Sequence, residues 1–421
     1  MTGTAIGIDV GTSGVRAALI DATGAPLAAG AAPLAPNENR DPEAWWQAVE
    51  AALAALRGQA DLSGVRAIAV DGTSGTILLL DDAFQPIGRA SLYNDPAPES
   101  AVRAVAAAAP AGSAASGDTS PLARLLAMQN APGAARLAHQ ADWIAARLGA
   151  PAGISDENNA LKTGYDPVLR CWPQWLRDLG IRAALLPNVA EPGTSIGTIA
   201  PALAARFGLQ PGVIIKAGTT DGCAAFLATG ANALGEAVTS LGSTLTLKQL
   251  CDQPIFAPEY GIYSHRLAGR WLAGGASNSG GAALGRYFSP ETLAALSARI
   301  DPRSDSLLDY YPLPCPGERF PIANPHLPPR ETPRPADDVR FLQGLLEGIA
   351  RIEAQGYRRL AELGGPALIS VRTVGGGARN AAWTAIRRRA VGVELLPAVS
   401  EEAAVGAARL SLRAFREAVL F

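Results

Sequence analysis

Cysteine is scarce in this 421-residue chain, and Cys171, Cys223, Cys251 and Cys315 stand far apart with no C-x-x-C pair. That spacing argues against a disulfide framework or a cysteine zinc site, and makes the cytoplasm the expected compartment. Histidine is confined to His139, His265 and His326, which leaves imidazole chemistry few candidates. Lysine occurs only at Lys162, Lys216 and Lys248, and none follows a glycine, so no Walker A loop is present. No apolar run reaches the roughly 20 residues a membrane helix needs. The opening "MTGTAIGIDV" lacks a basic region followed by an apolar core, so no signal peptide is expected. Neither sign of charge is in excess: 36 basic residues face 38 acidic ones, and the net charge of -2 gives no polybasic footprint for nucleic acid.

What remains is a mixed α/β chain long enough for roughly two or three domains. The first quarter alternates β-branched and aliphatic runs with glycine turns, in "AIGIDV", "VRAALID", "VRAIAVD" and "TILLLD". Between them "DPEAWWQAVEAALAALRG" reads as an amphipathic helix opening at Asp41-Pro42 and closing at Gly58. Residues 97–148 read as alanine-rich helix broken by a loop, "PAGSAASGDTSP". A second α/β pattern starts near "GVIIKAGTTDG" at 212–222, and residues 310–335 carry too much proline for regular structure. A long helix over 339–362, the strand in "VRTVGGGARN" and two further helices end the chain. Two lobes follow, each opening with a hairpin whose turn is rich in Gly, Ser and Thr: "DVGTSGV" in the first and "SLGSTLTL" in the second. An internal duplication is the simplest source of such a pair.

Those turns carry chemistry that an ordinary hairpin does not need. Glycines at Gly11 and Gly14 let backbone N–H groups approach an anion, and Thr12 and Ser13 add hydroxyl donors. Asp9, at the end of the preceding strand, can hold a magnesium ion through water. Taken alone, the turn is better explained as an ordinary hairpin turn, in which Asp, Gly, Ser and Thr are all common. A second turn of the same type, Gly242-Ser243-Thr244, shifts the balance. So does Asp221 in "AGTTDGCAAF", an acid at the mouth of a sheet, where open α/β folds place ligands; as a structural alternative it caps the helix that follows. "VGGGARNAAW" at 374–383 sets three glycines between strand and helix, close to a flat or charged ligand. One decoy is "GTSIG" at 193–197, which fits the G-x-S-x-G elbow; with Glu191-Pro192 before it and "TIAP" after it, we expect a loop and no serine hydrolase.

In this order, "IGIDVGTSGVRAALID", "AGTTDG", "SLGSTLTLK", "GERFP" and "VGGGARNAAWTAIRRRAVG" resemble the FGGY carbohydrate kinases, over residues 6 to about 410. The resemblance implies two ribonuclease-H-like lobes of the actin-like ATPase fold with a cleft between them. It places the sugar lobe at 1–225 plus 402–421 and the nucleotide lobe at 226–401. It also implies Mg-ATP as phosphoryl donor and a ketose or polyol as acceptor. By motif, Asp221 corresponds to the general base and Asp9 to the magnesium-linked carboxylate. Thr12 with Gly11, Ser13 and Gly14 corresponds to one phosphate hairpin, and Gly242, Ser243 and Thr244 to the other. Gly376, Gly377 and Asn380 correspond to the adenosine motif, with Trp383 walling the purine. Phosphoryl transfer asks mainly for positioning and charge stabilisation, which suits these residue types.

The acceptor is read at "VDGTSGT", where xylulokinases carry a Met-His-Gly segment and this chain carries Asp71, Thr73 and Ser74. A carboxylate at Asp71 can accept two sugar hydroxyl protons; equally, it can be a turn residue serving its own hairpin. "SDENNALKTGYDP" and the chain length resemble a short, xylulokinase-like subgroup that looks like D-ribulose kinases. D-ribulose phosphorylated at O5 is therefore the expected reaction, with D-xylulose or another ketose or polyol as alternatives. A non-kinase ATP-binding sensor of the same superfamily is the competing class, disfavoured by Asp221 and by the lack of a peptide-binding domain. The expected partner is a small sugar, not nucleic acid or membrane, in a monomer or homodimer.

Overall fold

A computed structural model describes residues 3–267 and 269–412. The chain forms two compact units: the first is Met1–Gly230 with His265–Gly269 and Val399–Phe421, the second Ala231–Ser264 with Arg270–Ala398. The part of the expected sugar lobe at residues 413–421 lies outside the described residues.

In the first unit the strands are β1 (Thr4–Val10), β2 (Gly14–Ile20), β3 (Pro26–Pro33), β4 (Val65–Gly72), β5 (Ile77–Leu80), β6 (Arg136–His139), β7 (Ile154–Asp156), β8 (Asn188–Ala190), β9 (Ser195–Thr198) and β10 (Ile214–Thr220). The main sheet runs β3-β2-β1-β4-β10-β9. β2 is antiparallel to β1 and β3 antiparallel to β2, whereas β4 is parallel to β1 and β10 parallel to β4. "AIGIDV" is apolar on both faces because β1 is covered on both: Ala5, Ile6, Ile8 and Val10 are all fully buried. One cover is the helix Pro42–Arg57, capped by Asp41 with Pro42 at its start and Gly58 at its end, as its sequence predicts. The other is the helix Ala403–Ser411, which reaches the sheet only because small residues meet there. A Cβ on Gly7 would fall 1.9 Å from the carbonyl oxygen of Ala404, and one on Gly406 would fall 1.7 Å from that of Ala224.

The expected loop over the G-x-S-x-G decoy is corrected to an edge strand. β9 pairs antiparallel with β10, and Lys216 Nζ donates to Ser195 Oγ at 2.9 Å. No helix follows that serine directly, so no nucleophile elbow is formed.

In the second unit β11 (Glu236–Leu241), β12 (Leu245–Cys251), β14 (Arg270–Ser277), β15 (Ser370–Val374) and β16 (Glu394–Pro397) lie in the order β14-β12-β11-β15-β16; the short β13 (His265–Leu267) belongs to the segment counted with the first unit. β12 is antiparallel to β11 and β14 to β12; β15 is parallel to β11 and β16 to β15. These five strands repeat β3-β2-β1-β4-β10 of the first sheet in order and in sense, with no counterpart to β9 among the described residues, so the paired turns are the visible end of a duplicated fold. The long helix Asp338–Glu362 packs its apolar stripe (Phe341, Leu342, Leu345, Leu346, Ile349, Ile352) into the core of this unit. Residues 310–335 are irregular but tied by short bridges such as Tyr311 to Arg330. Beneath the sheet lies a closed polar network. The buried Arg387 donates to both Glu353 oxygens at 2.6 and 2.7 Å and to Thr373 Oγ1 at 2.9 Å, and Thr239 donates to Glu353 at 2.6 Å.

Candidate active site

Three parallel strands of the first unit end together. The register pairs Asp9 of β1 with Asp71 of β4, then Val10 with Gly72, and Gly72 in turn with Thr220 of β10. The next residue on each strand, Gly11, Thr73 and Asp221, therefore leaves the sheet at one edge.

From β1 the chain enters the loop Gly11–Gly14, closed by Gly11 N–H donating to the Gly14 carbonyl at 3.0 Å. Gly14 must be glycine, since a Cβ there would lie 2.6 Å from the carbonyl oxygen of Ala32. Thr12 and Ser13 are exposed, and their hydroxyls make no hydrogen bond with any described residue. From β10 the chain enters the helix Asp221–Ala228, of which Thr220 is the N-cap and Asp221 the first helical residue. Asp221 Oδ1 accepts from Gly222 N–H at 2.7 Å, while Oδ2 has no partner among the described residues.

Asp9 is 7% exposed, with Arg16 Nη1 at 3.7 Å. Burial raises its pKa above the usual carboxylate value, Asp221 adds to the rise, and Asp71 and Arg16 oppose it. Asp71 is fully buried, and no donor reaches either of its oxygens. Burial first, then the charges of Asp9 and Asp221, push it well above the usual range. Asp9 and Asp71 are thus placed to share a proton. This corrects the expectation for Asp71: it lies in strand β4 rather than in a turn, and with no exposed surface it faces Asp9 instead of presenting two oxygens to a sugar. One consequence is measurable. A carboxyl held protonated in the fold binds more protons than the unfolded chain between its unfolded and folded pKa values, so its contribution to stability falls as pH rises through that window. Asp71→Asn is expected to raise the urea midpoint at pH 7 above that of the parent, with the gain vanishing toward pH 4; an equal shift at both pH values would contradict it.

The turn after β4 is held from several sides. Thr76 N–H donates to the Thr73 carbonyl at 3.1 Å, Thr73 N–H to Gln140 Oε1 at 3.0 Å, and Gln140 N–H to the Thr76 carbonyl at 3.2 Å. Thr73 Oγ1 reaches the Val10 carbonyl at 3.4 Å. The buried Arg124, lowered to about 10 by loss of solvent, donates to the Gly75 carbonyl at 2.6 Å and to Ser91 Oγ at 2.7 Å. Ser74 is half-buried, with its hydroxyl unused by described residues. Sequence reasoning missed Gln140 and Arg124, which belong to no recognisable motif.

In the second unit the hairpin turn Gly242–Thr244 is exposed, and its backbone is braced from behind. Gly281 N–H donates to the Gly242 carbonyl at 2.9 Å and Ala282 N–H to that of Ser243 at 3.0 Å. The motif "GERFP" supports this brace. Glu318 accepts from Ser277 Oγ at 2.6 Å and from Asn278 N–H at 2.8 Å, and Ser279 in turn accepts from Leu245 N–H at 2.8 Å. Gly375 takes a left-handed φ of 86° against the Leu241 carbonyl, which leaves Gly376 exposed with open space where a side chain would be. Asn380 caps the helix Ala381–Val391 by accepting from Trp383 N–H at 3.0 Å, and donates to Ser297 Oγ at 2.9 Å. Trp383 does not wall a nucleotide. It is 3% exposed in the core, with Nε1 donating to the Leu346 carbonyl at 3.2 Å, because the third position of that helix faces inward beneath Gly377.

Among the described residues, no three His, Cys, Asp or Glu side chains could hold a metal by themselves. The first acid cluster still suits a cation that keeps most of its water, since magnesium takes only one or two carboxylates plus phosphate oxygens. No described helix is long and apolar enough to cross a membrane.

The FGGY family of carbohydrate kinases matches this chain in two parts, its N-terminal domain over residues 4–113 and its C-terminal domain over residues 216–415. The chain belongs to the FGGY family of carbohydrate kinases. As such it is a sugar kinase, with ATP as phosphoryl donor, and its two sheets are those of the actin-like ATPase fold. A xylulose kinase of Escherichia coli K12 is 27% identical over 96% of this chain and 89% of its own length. One of Streptomyces coelicolor is 27% identical over 96% and 86%. The crystal structure of a xyloylose kinase from Brucella ovis superposes with a TM-score of 0.83 at 25% identity, covering 97% of this chain and 90% of that one. Plasmodium falciparum glycerol kinase with ADP shares the fold at a TM-score of 0.78 and 16% identity, covering 96% and 88%.

Proposed function

We propose that this FGGY kinase transfers the γ-phosphoryl group of ATP to a ketopentose, D-ribulose at O5, with Asp221 as general base. The observation that carries the reading is the convergence of Asp9, Asp71 and Asp221 where three parallel strands end. Asp221 Oδ2 is left without a protein donor, so it can accept the proton of an attacking hydroxyl. Its Oδ1 stays anchored to Gly222 N–H, which fixes the carboxylate during transfer. Asp9 would hold magnesium through water, and that ion would neutralise charge on the transferred phosphoryl group. Thr12 and the Gly11–Gly14 backbone in the first unit, and Gly242–Thr244 in the second, supply donors for phosphate oxygens. Gly376 leaves room for adenosine beside the capped helix, and Gly377 lets the turn close over Trp383 and Leu241 beneath it. Asn380 positions that helix end.

For the acceptor we favour D-ribulose because the turn Thr73-Ser74-Gly75 holds no histidine where xylulokinases carry one. His139 does not replace it, being fully buried between Asp142, Ser155 and Thr163. D-xylulose is the second reading, favoured by the xylulose kinases among the relatives. Coupled ADP release with D-ribulose, D-xylulose, L-ribulose and glycerol tests both. We expect kcat/KM for D-ribulose to exceed that for D-xylulose by about tenfold or more, with ³¹P NMR placing the phosphate on C5. The reverse preference would assign the chain to D-xylulose, and no turnover with either pentulose would overturn the ketopentose reading.

A further inference from the structure

Gln140 begins the helix Gln140–Leu148, and its side chain is 2% exposed. A buried carboxamide has four hydrogen-bonding valences, and leaving them unmet is costly, so its partners reveal its task. Here the orientation is forced. Thr73 N–H can only donate, so the atom 3.0 Å from it must be the carboxamide oxygen, and the NH₂ group points away from that contact. Nε2 makes no hydrogen bond with any described residue. Main-chain N–H of the same residue donates to the Thr76 carbonyl, so Gln140 grips the turn Thr73–Thr76 at both ends.

With Gly75 fixed by Arg124 and Thr73 tied to Val10, the turn's backbone has little freedom left. Polar groups here that retain unused capacity include the Ser74 hydroxyl and Gln140 Nε2, alongside the buried Thr76 Oγ1 and Arg124 Nε. Strand register sets Thr73 at the same level as Asp221, one residue beyond the paired Gly72 and Thr220. A donor anchored to Thr73 is therefore held at the sheet edge from which Asp221 also departs.

We propose that Gln140 is a specificity residue that donates a hydrogen bond through Nε2 to an oxygen of the acceptor sugar. The proposal rests on the ketopentose reading above. Its ligand class is a polyhydroxylated carbonyl compound with an acceptor oxygen near the reacting hydroxyl. Ser74 supplies a second contact from the same turn.

Calorimetric titration separates this from a purely structural role. Gln140→Glu keeps an oxygen for Thr73 N–H but exchanges the NH₂ donor for an acceptor. It is expected to weaken binding of the preferred pentulose about tenfold to a hundredfold, with ATP affinity within about twofold. Gln140→Met, of similar length and without charge, serves if the buried carboxylate prevents folding, and should weaken the sugar at least as much. Unaltered sugar affinity in either folded variant overturns the proposal. So does a parallel loss of sugar and ATP binding, which would make Gln140 a support of the fold alone. Failure of the parent to bind any pentulose would instead count against the ketopentose reading.

Discussion

Asp221→Asn is expected to lower kcat about a thousandfold while leaving the KM for ATP and the thermal midpoint nearly unchanged. The asparagine oxygen can still accept from Gly222 N–H, so the start of the helix Asp221–Ala228 keeps its contact. What it loses is the second oxygen that takes the proton. The negative charge beside Asp9 and Asp71 also disappears, which removes one of the influences raising both pKa values and works in favour of stability. Loss of activity therefore cannot be ascribed to unfolding. Initial rates with saturating pentulose and ATP, set beside a urea curve, give the answer. A residual rate within tenfold of the parent would remove Asp221 from the role of base.

Arg387→Met should produce the largest loss of stability, about 3–5 kcal/mol. Arg387 and Glu353 have no exposed side-chain surface, and the guanidinium meets both carboxylate oxygens. Removing one partner leaves a buried charge that Thr239 alone cannot satisfy. The network joins β11 and β15, through the facing Thr239 and Thr373, to both helices on that face of the sheet. Urea unfolding of the full chain measures the effect. Adding Glu353→Leu to Arg387→Met should recover most of it, since a neutral apolar pair of similar volume has no charge to strand. No recovery would mean that the methionine itself is misfitted.

The hairpins could be read from sequence because their signal is local: alternating apolar runs meet at glycines, and the register follows from the turn. The helix Pro42–Arg57 was legible for the same reason, with its stops written as Asp41 and Gly58. Asp71 was not, because a carboxylate before Gly72 looks like a turn residue unless a parallel neighbour is known to cover it. Trp383 was misplaced because its motif fixes proximity to the glycines but not the inward angle of a helix's third position. β9 was missed because only β10 makes a strand of so short a segment. Gln140 and Arg124 lie far along the chain from the turn they hold, and long-range hydrogen bonds leave no periodic trace.

Gly7 and Gly406 together also bear on how the protein is made. The third strand-forming stretch of the first unit emerges early in synthesis, yet β1 lacks one cover until residues 403–411 have left the ribosome. Translation at about 5–20 residues per second makes that delay tens of seconds. Throughout it, Ala5, Ala18 and Ile20 lack Ala404, Val405 and Ala408, with which they form a core cluster. The second unit, by contrast, has all its strands once Pro397 is out. The half of the chain translated first is thus completed after the second unit, and its nascent sheet must be kept from other sheets until the helix Ala403–Ser411 arrives.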